Sequence, residues 1–108
     1  MSWEVETTSE FDDWFASLSE SEQESVLSSI AFLELEGPTL GRPRVDSVKE
    51  SRHSNMKELR VRKSIRVLFA FNRRQRPVLL VGGNKAGQTK RWYRKAINQA
   101  DDLFDERR

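Results

Sequence analysis

The spacing of hydrophobic positions changes along this chain. Residues 56–85 read MKELRVRKSIRVLFAFNRRQRPVLLVGGNK, three short apolar runs separated by polar breaks. Runs of that length, rich in Val, Ile, Leu and Phe, predict β-strands. In 65–72 the alternation is clean. Ile65, Val67, Phe69 and Phe71 take one face, and Arg66, Leu68, Ala70 and Asn72 the other. In 56–60, Leu59 shares a face with Lys57, while Glu58 and Arg60 share the opposite one. If Leu59 and Phe69 face a core, then Glu58, Arg60 and Arg66 meet on the other face of two neighbouring strands. The breaks at 62–64 and 73–77 are short enough for hairpins, which makes the three strands antiparallel neighbours. Residues 78–81 (VLLV) are apolar throughout, as in a central strand covered on both faces. Gly82-Gly83 then frees the backbone, for a bulge or for close approach by a ligand.

Elsewhere the period is mostly helical. Residues 3–7 (WEVET) alternate and predict a short strand at or near a sheet edge. Ser9 is the expected cap of a helix that carries Phe11, Trp14, Phe15 and Leu18, an aromatic stripe best read as core. Ser19 and Glu22 have capping-box spacing, which predicts a second helix over 20–36. Its expected buried face is Val26, Leu27, Ile30 and Leu33 with Phe32 or Leu35, and Gly37-Pro38 ends it. Residues 39–55 show no sustained period and read as a long connection, with Val45 and Val48 tucked down. Thr89 caps a last helix over 90–106, with Trp92, Ala96, Ile97, Ala100, Leu103 and Phe104 on its apolar face. The predicted order is β-α-α-β-β-β-α.

Charge sharpens this picture. Residues 1–36 hold ten acids and no Lys or Arg, whereas residues 37–100 hold seventeen Lys or Arg against three acids. A basic half of that kind suits a polyanion, although acidic helices neutralising basic strands within the fold would give the same pattern. The last helix starts basic (Lys90, Arg91, Arg94, Lys95) and ends acidic, against the helix dipole. Its basic end is therefore a candidate for phosphates. With no cysteine and one histidine, neither a disulfide framework nor a zinc site is expected. No apolar run is long enough to span a bilayer and the first residues lack a signal-peptide pattern, so the expectation is a single soluble cytoplasmic domain over 1–108 with no membrane partner.

Taken in order, KELR, IRVLFAF, VLLVGGNK and KRWYRKAINQADDL resemble the RelE/HigB-like toxins of bacterial type II toxin–antitoxin systems, and most closely the phage-derived HigB-type branch. The resemblance implies an α+β fold: a twisted, mainly antiparallel four-stranded sheet, two N-terminal helices on one face, a concave basic face, and a C-terminal helix at its margin. It also implies a ribosome-dependent mRNA endonuclease that works in the ribosomal A site without a cofactor. A cognate helix-turn-helix antitoxin would hold it inactive. Carried onto this chain, the expected catalytic residues are Arg60, Arg66, Lys85 and Tyr93, with Glu58 as general base or as an orienting partner for Arg60. A guanidinium fork can hold two phosphoryl oxygens and keeps its proton, which suits Arg60 and Arg66 to the charge that builds on phosphorus. Lys85 could hold phosphate or lower a neighbour's pKa, and Tyr93 could donate a proton or stack on a base. The imidazole of histidine can serve as an acid or a base, which makes His53 a further acid/base candidate. Lys57, Arg73, Arg74, Lys90 and Arg91 are candidates for RNA phosphates, with Arg76 beside them at the hairpin tip. The rival readings are a superfamily member that inhibits DNA gyrase by binding, and an inactive RNA-binding module.

Overall fold

The computed structural model describes residues 2–108. Its elements are β1 (Glu6–Thr7), α1 (Ser9–Ala16), α2 (Glu20–Glu36), a 3-10 turn (Gly37–Thr39), β2 (Val45–Ser47), β3 (Lys57–Arg60), β4 (Ile65–Phe71), β5 (Pro77–Asn84) and α3 (Lys90–Asp105). The five strands form one sheet in the order β1-β5-β4-β3-β2. Only β1 is parallel to its neighbour, β5; the other pairs are antiparallel.

The architecture is the α+β class expected, with one strand more. The addition is β2, inside the stretch read as a plain connection. Val45 pairs with Leu59 and is buried. Three residues are too few to display a period, so β2 leaves no pattern in the sequence. The first strand is at the sheet edge as expected but spans two residues instead of five. Trp3 leaves the strand early because its N–H donates to the Glu34 carbonyl (2.8 Å) and its indole lies on Gly37. Gly37 has φ +56°, and a β-carbon there would meet the indole at 2.4 Å.

Helices cover both faces of the sheet. On one face Phe11 of α1 and Val26 and Leu33 of α2 pack on Leu59, Ile65, Val67, Phe69 and Leu79. On the other, Ile97, Ala100 and Phe104 of α3 pack on Met56, Leu68, Ala70, Val78 and Leu80. Burying each such side chain contributes about 1.5–3 kcal/mol. The C-terminal helix therefore lies across the second face instead of at its margin. The open basic face expected there shrinks to the end of the sheet near the first turn of α3.

The cap of α1 is Thr8, not Ser9. The Thr8 hydroxyl accepts from Phe11 N–H (3.0 Å) and donates to the Leu80 carbonyl (2.7 Å), tying the helix start to the central strand. Ser19 and Glu22 form the capping box predicted for α2. Leu27 of α2 is exposed, contrary to the face assigned to it; of Phe32 and Leu35, Phe32 packs on the core and Leu35 is exposed, and Val26, Ser29 and Leu33 are the residues buried there. Gly82 and Gly83 admit tryptophans, not a ligand or a bulge: a β-carbon would meet the Trp14 ring at 2.2 Å and the Trp92 ring at 2.7 Å. The register shift lies earlier, between Leu68 and Phe69, where Leu80 is the extra residue.

Candidate active site

The register places Arg60 directly opposite Arg66 on β3 and β4. Glu58, two residues before Arg60, shares their face. Two guanidiniums side by side repel unless an anion sits between them, and Glu58 is that anion. Its Oε2 is 3.1 Å from Arg60 Nε and 3.8 Å from Arg66 Nε. Its Oε1 lies 3.3 Å from Lys85 Nζ and accepts a hydrogen bond from the Tyr93 hydroxyl. Lys85 follows β5 and Tyr93 lies in the first turn of α3, so four separate segments converge on one carboxylate. Lys85 Nζ also sits 4.2 Å above the Tyr93 ring centre.

Glu58 is almost fully buried, at 4% exposure. Burial pushes its pKa up, but the hydrogen bonds from Tyr93 and Arg60 and the Lys85 charge outweigh burial and hold it below the ordinary glutamate value. Burial and the bond to Glu58 push the Tyr93 phenol far above its usual range, so it keeps its proton at neutral pH.

Each cation has a second attachment. Arg60 reaches Asp46 of β2, which pairs with Glu58 in the sheet (NH2 to Oδ2 3.3 Å). Arg66 NH1 donates to the carbonyls of Arg62 (2.8 Å) and Ile65 (3.1 Å), and NH2 to that of Lys63 (3.3 Å). Arg66 is thus locked to the β3–β4 turn and walled by Trp92. Its Nε is the one buried side-chain polar atom without a hydrogen-bond partner among the described residues. Buried donors are nearly always partnered, and this one faces Glu58 Oε2 at 3.8 Å, beyond hydrogen-bond reach.

The other sequence candidates lie elsewhere. Lys57 projects from the opposite face of β3. Arg73 and Arg74 are exposed at the β4–β5 hairpin tip, and Arg76 is tied to Glu4 (2.7 Å) and Glu6 (3.2 Å). Lys90 and Arg91 are exposed at the start of α3, near the cluster. His53 sits at the far end of α3, about 16 Å along the axis from Tyr93. There its Nε2 meets Asp105 (2.7 Å) and its ring packs edge-on against Phe104. It is not brought to the Glu58 cluster. Asp46 went unnoticed in the sequence because β2 itself did.

A small sheet between helix layers is the fold that the resemblance to RelE/HigB-like toxins implies. The comparisons agree. Residues 13–105 match the family of phage-derived Gp49-like proteins, and the chain belongs to that family. Two Mycobacterium tuberculosis proteins are similar to it. The one described as "Putative toxin HigB3" is 53% identical over 89 residues, covering 82% of this chain and 78% of the relative. "Putative toxin HigB2" is 45% identical over 97 residues, covering 86% of this chain but only 48% of that longer protein. The crystal structure of the archaeal RelE–RelB complex from Pyrococcus horikoshii holds a chain of the same fold. It gives a TM-score of 0.65 at 15% identity, over 82% of this chain and 100% of that one. A metal-bound toxin from Helicobacter pylori gives 0.52 at 12% identity, over 81% and 99%. The protein is a toxin of a RelE/HigB-type toxin–antitoxin system.

Proposed function

We propose that this toxin is a ribosome-dependent mRNA endonuclease, a single cytoplasmic domain silenced by a cognate helix-turn-helix antitoxin. The observation that carries the reading is the convergence of Arg60, Arg66, Lys85 and Tyr93 on one buried anion. The Glu58 carboxylate marks where Arg60 Nε, Lys85 and Tyr93 donate and where Arg66 Nε faces at 3.8 Å, and a phosphate brought beside it would meet the same charges.

The reaction is cleavage by the RNA itself. The 2′-oxygen attacks phosphorus, the bond to the 5′-oxygen breaks, and the net proton transfer is from 2′-oxygen to 5′-oxygen. The products are a 2′,3′-cyclic phosphate and a 5′-hydroxyl. Arg60 and Arg66 stabilise the charge that grows on the phosphoryl oxygens, and Lys85 adds a third positive charge. Tyr93 holds its proton at neutral pH and donates a hydrogen bond to the departing oxygen, while water carries the 2′-proton to it. Glu58 is the orienting partner: its pKa lies below the ordinary value, whereas a general base works best with a pKa near the working pH. Lys90 and Arg91 extend the cationic surface toward the RNA backbone, and Arg73 and Arg74 form a second basic point for ribosomal RNA phosphates.

The test is to map new 5′ ends on a message incubated with the purified protein, with and without ribosomes. Cuts in codon register that need ribosomes support the reading. Intact message under both conditions rejects it, and trapped gyrase–DNA complexes in the same extract would favour a gyrase inhibitor.

A further inference from the structure

Arg60 and Arg66 face each other across two strands, yet they offer a phosphate different things. A guanidinium has a side edge, Nε with Nη2, and an end edge, Nη1 with the second N–H of Nη2. On Arg66 both terminal nitrogens are engaged, Nη1 by the carbonyls of Arg62 and Ile65 and Nη2 by that of Lys63. Its end edge is closed, so it supplies charge without a free fork. On Arg60 the two acids hold the side edge alone: Nε donates to Glu58 Oε2 (3.1 Å) and Nη2 to Asp46 Oδ2 (3.3 Å). Among the described residues its Nη1 has no hydrogen-bond partner, and the side chain is 40% exposed. Of the two arginines, Arg60 is the one whose end edge is open to a phosphate.

Where that edge points depends on Asp46. Asp46 stands opposite Glu58 in the β2–β3 register, so two carboxylates share one face of adjacent strands. Like charges so placed repel, and a cation between them offsets the repulsion. Arg60 is that cation. Asp46 is itself fixed. Its Oδ1 accepts from the Ser47 N–H (2.9 Å) and from Arg42 Nε (3.1 Å), which leaves Oδ2 for Arg60. The same two bonds, Ser47 first, hold its pKa below the ordinary aspartate value, so it is charged at neutral pH. Glu58 alone would grip Arg60 at one atom, about which the guanidinium can swing. Two grips on one edge fix the direction of the whole planar group. The fold does not depend on this side chain: Val45 supplies the buried contact of β2, and ion pairs with an exposed partner contribute little.

We propose that Asp46 is a positioning residue: together with Glu58 it holds the side edge of Arg60 and turns the open end edge toward the scissile phosphate. The proposal rests on the ribonuclease reading for that phosphate. The hold on Arg60 is measurable without cleavage. Asp46 acts on the reaction only through Arg60, so its loss should slow the chemical step and leave RNA binding in place.

The experiment has two arms. In the first, nitrogen NMR follows the Arg60 guanidinium in the free protein. Wild type should give distinct Nη1 and Nη2 signals, because a group held at two atoms does not rotate freely. Asp46→Ala should merge them, and Asp46→Asn, which keeps an accepting oxygen, should leave them distinct. Merged signals in wild type, or distinct signals in Asp46→Ala, would overturn the proposal. In the second arm, single-turnover cleavage is measured against ribosome concentration. Asp46→Ala should lower the maximal rate about tenfold, a part of the hundredfold that a misplacement of about 1 Å can cost. The half-saturating ribosome concentration should stay within about twofold of wild type, the pattern of an interaction that matters only in the transition state. Asp46→Asn should recover most of the rate. An unchanged maximal rate, a loss confined to weaker binding, or an Asn variant as slow as the Ala variant would overturn the proposal while leaving the nuclease intact. Signals that merge in Asp46→Ala, with no message cleaved by wild type, would sustain the hold on Arg60 and reject the nuclease.

Discussion

The two ends of α3 carry opposite versions of one device. At its C-terminal end, acids on the helix are gripped by a loop. Asp101, only 1% exposed, accepts from the Ser51 hydroxyl (2.5 Å) and the Arg52 N–H (3.0 Å). Asp105 meets Arg52 NH2 (2.5 Å) and His53 Nε2 (2.7 Å). The grip accounts for an acidic helix end that opposes the dipole, because Arg52 supplies the positive charge the last turn lacks. At the N-terminal end the roles reverse. One buried acid, Glu58, is surrounded by three cations and a phenol, and one donor, Arg66 Nε, has no hydrogen-bond partner. The first network has donors and acceptors in balance and serves the fold. The second has surplus donors around one anion and is the one suited to hold another. A count of basic residues in the sequence cannot separate the two, since Arg52 and Arg60 contribute equally to it.

Breaking the second network should affect chemistry most. Arg66→Ala should slow cleavage on programmed ribosomes by about 10²–10³, the usual effect of removing one donor to developing charge. A single-turnover assay measures this. Breaking the first network should affect stability instead. Asp101→Ala removes a buried acceptor from the half-buried Ser51 hydroxyl and the Arg52 N–H, at a cost of about 2 kcal/mol. The melting temperature should fall by on the order of 10 °C, while cleavage per folded molecule is unchanged.

Smaller effects sharpen the assignment of Glu58. Glu58→Gln should lower cleavage by about tenfold, whereas loss of a general base costs about 10²–10⁴. A loss in that larger range would make Glu58 the base. The acid side of the stability profile gives a gentler test. Glu58 and Asp105 both have pKa values held below their ordinary 4.5 and 3.8, Glu58 by hydrogen bonds and Lys85 against its burial, Asp105 by His53 and Arg52. Groups with depressed folded-state values contribute stability above the unfolded pKa and lose it as pH falls through the folded one. Melting should therefore vary little with these groups between about pH 7 and 5, then drop below about pH 4.5. Glu58→Gln should drop less steeply in that acid range.

Much of this was legible before folding. The alternation of β3 and β4 put Glu58, Arg60 and Arg66 on one face, and two short hairpins set the register that makes them neighbours. The Ser19 capping box and the α3 stripe were also readable, because local rules decide them. What stayed hidden depended on distant contacts. Ser9 reads as the cap in the sequence, but Thr8 takes that place because its hydroxyl also finds the Leu80 carbonyl, 72 residues away. Leu27 fits the helical stripe of α2, yet the sheet takes Val26 and Leu33 and leaves it exposed. Gly82 and Gly83 signalled close approach correctly but not by what; Trp14 and Trp92 lie far off in sequence or across a loop. His53 sits in an aperiodic connection, where pattern carries no information about position, and only the structure sets it against Asp105 at the far end of α3.

The most direct single measurement compares Arg60→Ala with Arg52→Ala in single-turnover cleavage of a ribosome-bound message, with both proteins shown to be folded. Arg60→Ala should lose at least about a hundredfold in rate, and Arg52→Ala should stay within about twofold of wild type, as expected for exposed ion pairs of modest worth. Equal rates for the two variants, or a larger loss for Arg52→Ala, would contradict the placement of the chemistry at the Glu58 end of α3.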